Sequence, residues 1–196
     1  MADPKPRYEF RTWAQTLAEA RAKLQQWGIP TARDESGETY LVSAATERCN
    51  AKIRNGLLDI KLLLATQRGL ELWKPVLKTA FPIDRATIIE HVFPALELPA
   101  PRLPAGQYSI EQFLDLAGCQ ARITIVKVRK TRRQFTLDQC QAEFTSVVIE
   151  TLSQETVALE SEDPGAVLSA VARLGLENAP NTSYVGRIKQ ILNAQG

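Results

Sequence analysis

The stretch KIRNGLLDIK, residues 52–61, places charged side chains inside a sequence that otherwise alternates as β-strands do. Its centre, Asn55-Gly56, is the dipeptide most favoured for a two-residue type I′ hairpin turn. The turn therefore predicts that residues 47–54 and 57–64 pair as antiparallel strands. The predicted pairs are Arg54 with Leu57, Lys52 with Asp59 and Asn50 with Lys61.

The register of this hairpin sorts its side chains onto two faces, because successive side chains of a strand point in opposite directions. One face is apolar, and the other carries cations with an acid among them. The polar face holds Asn50, Lys52, Arg54, Asp59 and Lys61, and the apolar face holds Ala51, Ile53, Leu58, Ile60 and Leu62.

Other segments of the chain repeat this division into a charged and an apolar face. Residues 7–13 (RYEFRTW) alternate, and in the predicted strand 121–130 the residues Ile123, Ile125, Lys127 and Arg129 share one face. The segments QAEF and VALES each place a glutamate opposite apolar neighbours. The combined basic set is Arg11, Lys52, Arg54, Lys61, Lys127 and Arg129, and the acidic set is Glu9, Glu143 and Glu160.

These two sets suggest a particular chemistry if they share a cavity. Lysine and arginine bind phosphate through charge-assisted hydrogen bonds. Carboxylates beside them could hold a hard cation such as Mg²⁺. The plain alternative is the solvated side of an antiparallel sheet with cross-strand ion pairs. Because the pattern recurs on at least four strands, we favour a closed barrel whose apolar outer face is covered by helices.

The remaining pattern predicts an α+β protein. Residues 67–106 are expected to form a helical, proline-rich insertion in a single domain spanning 1–196, with helix-like stretches at 70–79 and 84–97. The polar segment 31–38 is predicted as a turn. Further predicted helices are 16–27, capped by Thr16, then 109–116, 164–174 and 183–193. Further predicted strands are 39–44, about 133–139, 141–150 and 154–161, with a turn at Asp138-Gln139.

Composition narrows the functional classes. The 24 lysines and arginines against 22 acids leave a net charge of +2, which gives little support to nucleic-acid binding. Three cysteines without a CxxC pair, and no run of transmembrane length, indicate a cytoplasmic protein that does not cross a membrane. The single histidine, His91, and the basic run VRKTRR at 128–133 are interpreted as surface features.

The ordered set of motifs resembles the CYTH superfamily, the triphosphate tunnel metalloenzymes. The resemblance is carried by RYEFR (7–11), KIRNGLLDIK (52–61), IVKVRK (125–130), QAEF (141–144), VALESEDPGAVLSAVARLGL (157–176) and NTSYVGRIKQIL (181–192). It implies a closed eight-stranded antiparallel β-barrel, the triphosphate tunnel, with flanking helices. It also implies a small phosphorylated ligand, a triphosphate or polyphosphate, bound by Arg11, Lys52, Arg54, Lys61, Lys127 and Arg129.

The same resemblance implies that Glu9, Glu143 and Glu160 hold Mg²⁺ or Mn²⁺, and that Glu9 and Lys61 are catalytic residues of a phosphoanhydride hydrolase. The chain departs from the family pattern in its acids. Arg7 stands where the signature Glu-x-Glu-x-Lys has its first glutamate, and Ala158 precedes Glu160 where many members have a further acid. Losing two carboxylates weakens a metal site. A non-catalytic phosphate sensor or interaction module is therefore the alternative to a triphosphatase.

Overall fold

The computed structural model describes residues 4–194. Strands and helices alternate irregularly, as expected for an α+β protein. The strands are β1 (Arg7–Ala14), β2 (Ile29–Ser43), β3 (Cys49–Arg54), β4 (Leu57–Gln67), β5 (Leu70–Ala80), β6 (Ile83–Asp84), β7 (Gln107–Tyr108), β8 (Ile123–Leu137), β9 (Cys140–Ile149) and β10 (Leu152–Ser161). The helices are α1 (Ala18–Trp27), α2 (Arg85–Thr87), α3 (Phe93–Ala95), α4 (Ile110–Gly118), α5 (Pro164–Leu174) and α6 (Tyr184–Asn193), with a π-helical turn at Ile88–Val92.

Eight of the strands close into an antiparallel barrel, in the order β1-β10-β9-β8-β2-β3-β4-β5. The short strands β6 and β7 pair with each other in a separate sheet. The predicted fold class, a closed eight-stranded barrel with flanking helices, is confirmed.

The central hairpin forms with the predicted register. Lys52 lies opposite Asp59, Asn50 opposite Lys61 and Arg54 opposite Leu57. Asn55 and Gly56 both have positive φ, at 50° and 73°, which a type I′ turn requires and which few residue types other than Asn and Gly adopt readily. The local sequence therefore fixes which side chains of β3 and β4 share a face.

The chain divides into two compact units. Unit 1 contains the residues up to Ser36 together with Leu63–Lys74 and Val128–Ser183, and unit 2 contains Gly37–Leu62, Pro75–Lys127 and the residues from Tyr184 onward. The prediction of a single domain with an insertion at 67–106 stays a prediction.

Each unit has its own hydrophobic core. In unit 1, Leu24 of α1 and Val167 of α5 pack with Phe144 and Leu159 on the apolar face of the strands. In unit 2, the apolar face of the β3–β4 hairpin packs with aromatic residues of the segment between β5 and β8. That cluster includes Ala51, Ile53, Leu58, Ile60, Phe93 and Phe113.

Helix α5 shows how closely local signals can define an element. It spans Pro164–Leu174 as predicted, and it ends at Gly175, whose φ of 75° suits glycine. The Asp163 carboxylate accepts a hydrogen bond from the Gly165 amide at the other end. Ser109 likewise caps α4, together with Gln112, in a capping box.

Three predicted element assignments were wrong. Residues 70–79 form strand β5, not a helix: the apolar spacing of Leu70, Trp73 and Leu77 is helical, but pairing with β1 outweighs that local pattern. The segment 31–38 lies within β2 and is not a turn. The two strands predicted at 121–130 and 133–139 are one continuous strand, β8.

The cap of α1 also differs from the prediction. Leu17, not Thr16, is the N-cap residue, and no side chain caps this helix. The backbone amide of Leu17 instead donates to Oε2 of Glu155 on β10. This acceptor is distant in sequence, so the sequence around Thr16 could not reveal the contact.

Candidate anion-binding site

The charged face of unit 2 lies on β2, β3 and β4. Glu38 and Tyr40 of β2 are paired with Arg54 and Lys52 of β3, so all four share the face that carries Asp59. The opposite face carries the apolar residues of the unit 2 core. The predicted polar face of the hairpin is thus confirmed, and β2 extends it.

Glu38 is the acid that holds this face together. It is only 2% exposed, and its Oε2 accepts hydrogen bonds from Lys52 Nζ at 3.1 Å and from the Tyr40 hydroxyl at 3.0 Å. Arg54 NH1 lies 3.7 Å from its Oε1, and Arg54 NH2 lies 3.5 Å from Asp59 Oδ2. Two of the predicted phosphate-binding cations are therefore oriented by one buried carboxylate.

The electrostatic state of Lys52 reflects this crowding. Burial lowers the pKa of its ammonium group below the usual 10.5, and neighbouring Arg54 and Lys61 lower it further, while Glu38 opposes the change. An anion bound next to Lys52 would favour the charged ammonium and so raise its pKa again.

The polar face of unit 1 lies on β1, β10, β9 and β8. Glu9 is opposite Glu160, and Arg11 is opposite Ala158, which is in turn opposite Glu143. The reverse face of these strands packs against α1 and α5. The predicted metal ligands Glu9, Glu143 and Glu160 are therefore brought onto one face.

Each of these three glutamates contacts an arginine. Arg11 Nε donates to Glu9 Oε1 at 2.9 Å, and Arg11 NH1 donates to Glu143 Oε1 at 3.4 Å. Arg7 NH1 donates to Glu160 Oε1 at 3.0 Å. Among residues 4–194, no group of three or more histidine, cysteine, aspartate or glutamate side chains is arranged to hold a metal ion. The three carboxylates do not fit a metal site as they stand.

Strand β8 presents different cations from those predicted. Gln134 is paired with Glu143, and Arg132 with Thr145, so the even-numbered residues of β8 share the polar face. Lys130 and Arg132 lie there, 4% and 5% exposed. Lys127 and Arg129 belong to the other face of the strand and are exposed. The expectation that Lys127 and Arg129 lie on the charged inner face is corrected accordingly.

The misplacement of Lys127 and Arg129 has an identifiable cause. They do share a face with Ile123 and Ile125, as predicted, but the predicted strand ended at residue 130, whereas β8 continues to Leu137. In a continuous strand, the same face includes Phe135, which packs in the unit 1 core. Because Phe135 is apolar and odd-numbered, it could have indicated that the odd-numbered residues of β8, Lys127 and Arg129 included, lie on the outer face.

Five other charged residues of these faces were not predicted from the sequence. They are Glu38, Glu71, Lys130, Arg132 and Asp34. Asp34 accepts two hydrogen bonds from Arg132, one of them from Nε at 3.2 Å. Asp34 and Glu38 lie in or beside the segment predicted as a polar turn. If 29–43 had been predicted as a strand, the alternation of its side chains would have placed Asp34 and Glu38 on the polar face.

A cavity of about 380 Å³ opens on the polar face of unit 1. Arg11, Glu143 and Glu160 line it, together with the amide side chains of Gln134 and Gln141. It therefore offers both charged and neutral hydrogen-bonding groups to a ligand.

Acid titration should reveal the charge of Glu143. Burial raises the pKa of this carboxyl, but Arg11, Lys130, Arg132 and the Thr145 hydroxyl outweigh it, so the pKa lies below the usual 4.5. The unfolded chain therefore takes up this proton first as the pH falls. The stability that the Glu143 charge contributes is complete above the unfolded pKa, and it is lost as the pH falls through the lowered folded pKa.

We expect the difference in free energy of unfolding between wild type and Glu143→Gln to shrink from about pH 6 to about pH 3. Urea unfolding at each pH measures it. A difference that stays constant across this range would contradict the assignment of a half-buried Glu143 that is charged in the folded protein.

Comparison with known proteins supports the fold. No family model and no curated protein matches the chain. Among solved structures, PH1012 from Pyrococcus horikoshii OT3 is similar over 91% of this chain and 97% of its own, with a TM-score of 0.59 and 13% identity. HpAC1 from Hippeastrum, described with a dominant triphosphatase activity, is similar over 94% and 95%, with a TM-score of 0.53 and 10% identity.

A proposed adenylate cyclase from Bacillus halodurans is also similar, over 95% of this chain and 98% of its own, with a TM-score of 0.55 and 7% identity. At these identities the likeness shows the fold. Within residues 4–194, no helix is long and apolar enough to cross a membrane. The chain forms a closed eight-stranded antiparallel barrel, which is the fold that its motifs predicted and the fold in which it is similar to these solved structures.

Proposed function

We propose that this protein binds a triphosphate or polyphosphate-like anion through the buried cations of its polar faces. The observation that carries the proposal is the burial of Arg11, Lys130 and Arg132 on one face of unit 1, at 8%, 4% and 5% exposure. Burying charged side chains is costly, so such a concentration is typical of a site that binds a charged ligand.

The geometry suits a polyanion better than a single small anion. Lys130 and Arg132 lie at alternate positions of β8, where Arg132 also donates to Asp34, and Arg11 is three strands away on β1, at the cavity beside Glu143. A chain of phosphates could contact several such cations through charge-assisted hydrogen bonds. In unit 2, Lys52 and Arg54 offer a second pair of cations.

Hydrolysis is the second candidate function. The triphosphatase activity described for HpAC1, a protein of the same fold, favours it. Against it stands the engagement of Glu9, Glu143 and Glu160 with arginines, which leaves no assembled metal site among the described residues. Binding without turnover, as in a phosphate sensor, therefore accounts best for these contacts. The catalytic roles of Glu9 and Lys61 stay predictions.

A thermal-shift panel tests the proposal, because a ligand that binds only the folded state raises Tm. Tripolyphosphate, long-chain polyphosphate, nucleoside triphosphates and thiamine triphosphate are compared in EDTA and at low salt. At a hundredfold excess over Kd, a true ligand should raise Tm by about 5–10 °C.

Sulfate at matched ionic strength is the control for general screening. A Tm that no phosphate compound raises more than sulfate does would overturn the proposal. Release of inorganic phosphate at about 1 s⁻¹ or faster, once Mg²⁺ or Mn²⁺ replaces EDTA, would favour the hydrolase over the sensor.

A further inference from the structure

Arg7 and Arg11 take up the carboxylates that would otherwise be available to a divalent cation. We call these two arginines with Glu9, Glu143 and Glu160 the arginine cluster. Arg11 connects Glu9 and Glu143, and Arg7 contacts both Glu160 and Gln141, the latter at 2.8 Å. All five residues belong to unit 1.

The strand register explains how Arg11 reaches two acids. Arg11 lies on β1 and Glu143 on β9, with β10 between them, and the residue of β10 opposite both is Ala158. The small side chain of Ala158 leaves room for the guanidinium to extend across β10. A glutamate at 158 would occupy this space and add a competing negative charge.

The cluster also resolves a repulsion built into the sheet. Glu9 and Glu160 are directly opposite on neighbouring strands, and like charges in this position are destabilising. Arg7 lies two residues before Glu9 and Arg11 two residues after it, so all three are on the same face of β1. The two positive charges offset the repulsion between the acids. Arginine stays protonated at all physiological pH values, so this neutralisation is permanent.

A divalent cation would have to displace these guanidinium groups. Mg²⁺ demands near-octahedral oxygen ligands, and it binds most readily where carboxylates are not already engaged in charge-assisted hydrogen bonds. We propose that the arginine cluster replaces a divalent cation in this protein, so that the protein has no metal site of its own here and binds its anion without metal. The second half of this proposal, that the anion binds without metal, rests on the proposed function. The first half, that the protein has no metal site at this cluster, does not.

Titration with Mn²⁺ alone tests the first half directly. Free Mn²⁺ is followed by electron paramagnetic resonance with wild type, with the double variant Arg7→Glu/Ala158→Glu, and with Arg122→Glu as control. Arg122 is an exposed residue, so its replacement makes the charge change of Arg7→Glu away from the cluster, and the double variant adds one further negative charge. We expect no saturable binding to wild type or control at submillimolar Mn²⁺. The double variant should bind at least about tenfold more tightly than wild type, because Ca²⁺ and Mg²⁺ affinities rise with the number of charged oxygen ligands.

Submillimolar Mn²⁺ binding by wild type would overturn the inference, and so would a folded double variant that binds no better than the control. If the double variant does not fold, the single variant Arg7→Glu replaces it, since the Arg7 side chain is 40% exposed.

Calorimetry with tripolyphosphate in EDTA and in Mg²⁺ tests the second half of the proposal, that the anion binds without metal. Binding that requires Mg²⁺ would overturn metal independence, whereas no binding in either buffer would refute the proposed function and leave the Mn²⁺ result standing.

Discussion

Replacing Glu38 with alanine is expected to lower the free energy of unfolding by about 3–5 kcal/mol. The Glu38 side chain is completely buried and lies 3.1 Å from Lys52 Nζ and 3.7 Å from Arg54 NH1. Removing Glu38 takes away the carboxylate to which the largely buried Lys52 ammonium is hydrogen-bonded, which is the reason for the large loss. Urea unfolding monitored by circular dichroism measures it.

The matched control is Glu47→Ala in the same unit. Glu47 is a mostly exposed acid whose Oε1 lies 3.8 Å from Lys189 Nζ, and an exposed ion pair contributes about 0–1 kcal/mol. The loss in free energy of unfolding for Glu38→Gln should lie between those of Glu38→Ala and Glu47→Ala, because an amide oxygen still accepts hydrogen bonds from Tyr40 and Lys52 but carries no charge. Equal losses for Glu38→Ala and Glu47→Ala would contradict the role given to Glu38.

Replacing Lys130 with methionine is expected to raise the Kd for tripolyphosphate by about tenfold to a hundredfold. A hydrogen bond to a charged group contributes about 1.5–3 kcal/mol, and each 1.4 kcal/mol corresponds to a factor of about ten. Lys130 is nearly fully buried on the polar face of unit 1, and methionine keeps most of the length of its stem. Isothermal titration calorimetry at low ionic strength measures both affinity and stoichiometry.

The neighbouring residue provides the control. Arg129→Met removes one positive charge from the same strand but from its exposed, opposite face. Its effect should stay within about twofold, because a charge surrounded by water on the opposite face of the strand interacts only weakly with an anion on the polar face. A larger loss for Arg129→Met than for Lys130→Met would restore the original expectation that Lys127 and Arg129 contact the ligand.

The features that could be predicted from the sequence are those that local chemistry determines. The Asn55-Gly56 turn sets the register of β3 and β4, and Pro164 and Gly175 mark the ends of α5. The turn was enough to predict the charged face of the hairpin, and the two end residues were enough to predict the bounds of α5, which packs in the unit 1 core.

The features that could not be predicted depend on residues distant in sequence. Strand β5 is defined by its pairing with β1, which overrides the helical spacing of Leu70 and Trp73. The number of eight strands was implied by the family resemblance, whereas the strands predicted from the pattern divided β8 in two and omitted β5. The division of β8 left Arg132 outside the predicted strands, and the wrong choice of face left out Lys130.

The buried acids were the hardest part of the site to predict. Glu38 and Asp34 lie in or near a polar segment whose composition is typical of a turn, and only their pairing with Arg54 and Arg132 shows them to be part of the polar faces. Residue type and local spacing do not reveal the compensating charge of a distant strand. The arginine partners of Glu9, Glu143 and Glu160 were hidden for the same reason, because they are set by register across β1, β10 and β9.

Calorimetric titration of the wild-type protein with tripolyphosphate, in EDTA and at low ionic strength, tests the central claim most directly. The account predicts saturable binding of one anion per chain, with an affinity that falls as sodium chloride is added, since exposed parts of the attraction are screened. A flat titration at low ionic strength, where the attraction should be strongest, would contradict the claim that the buried cations form an anion-binding site.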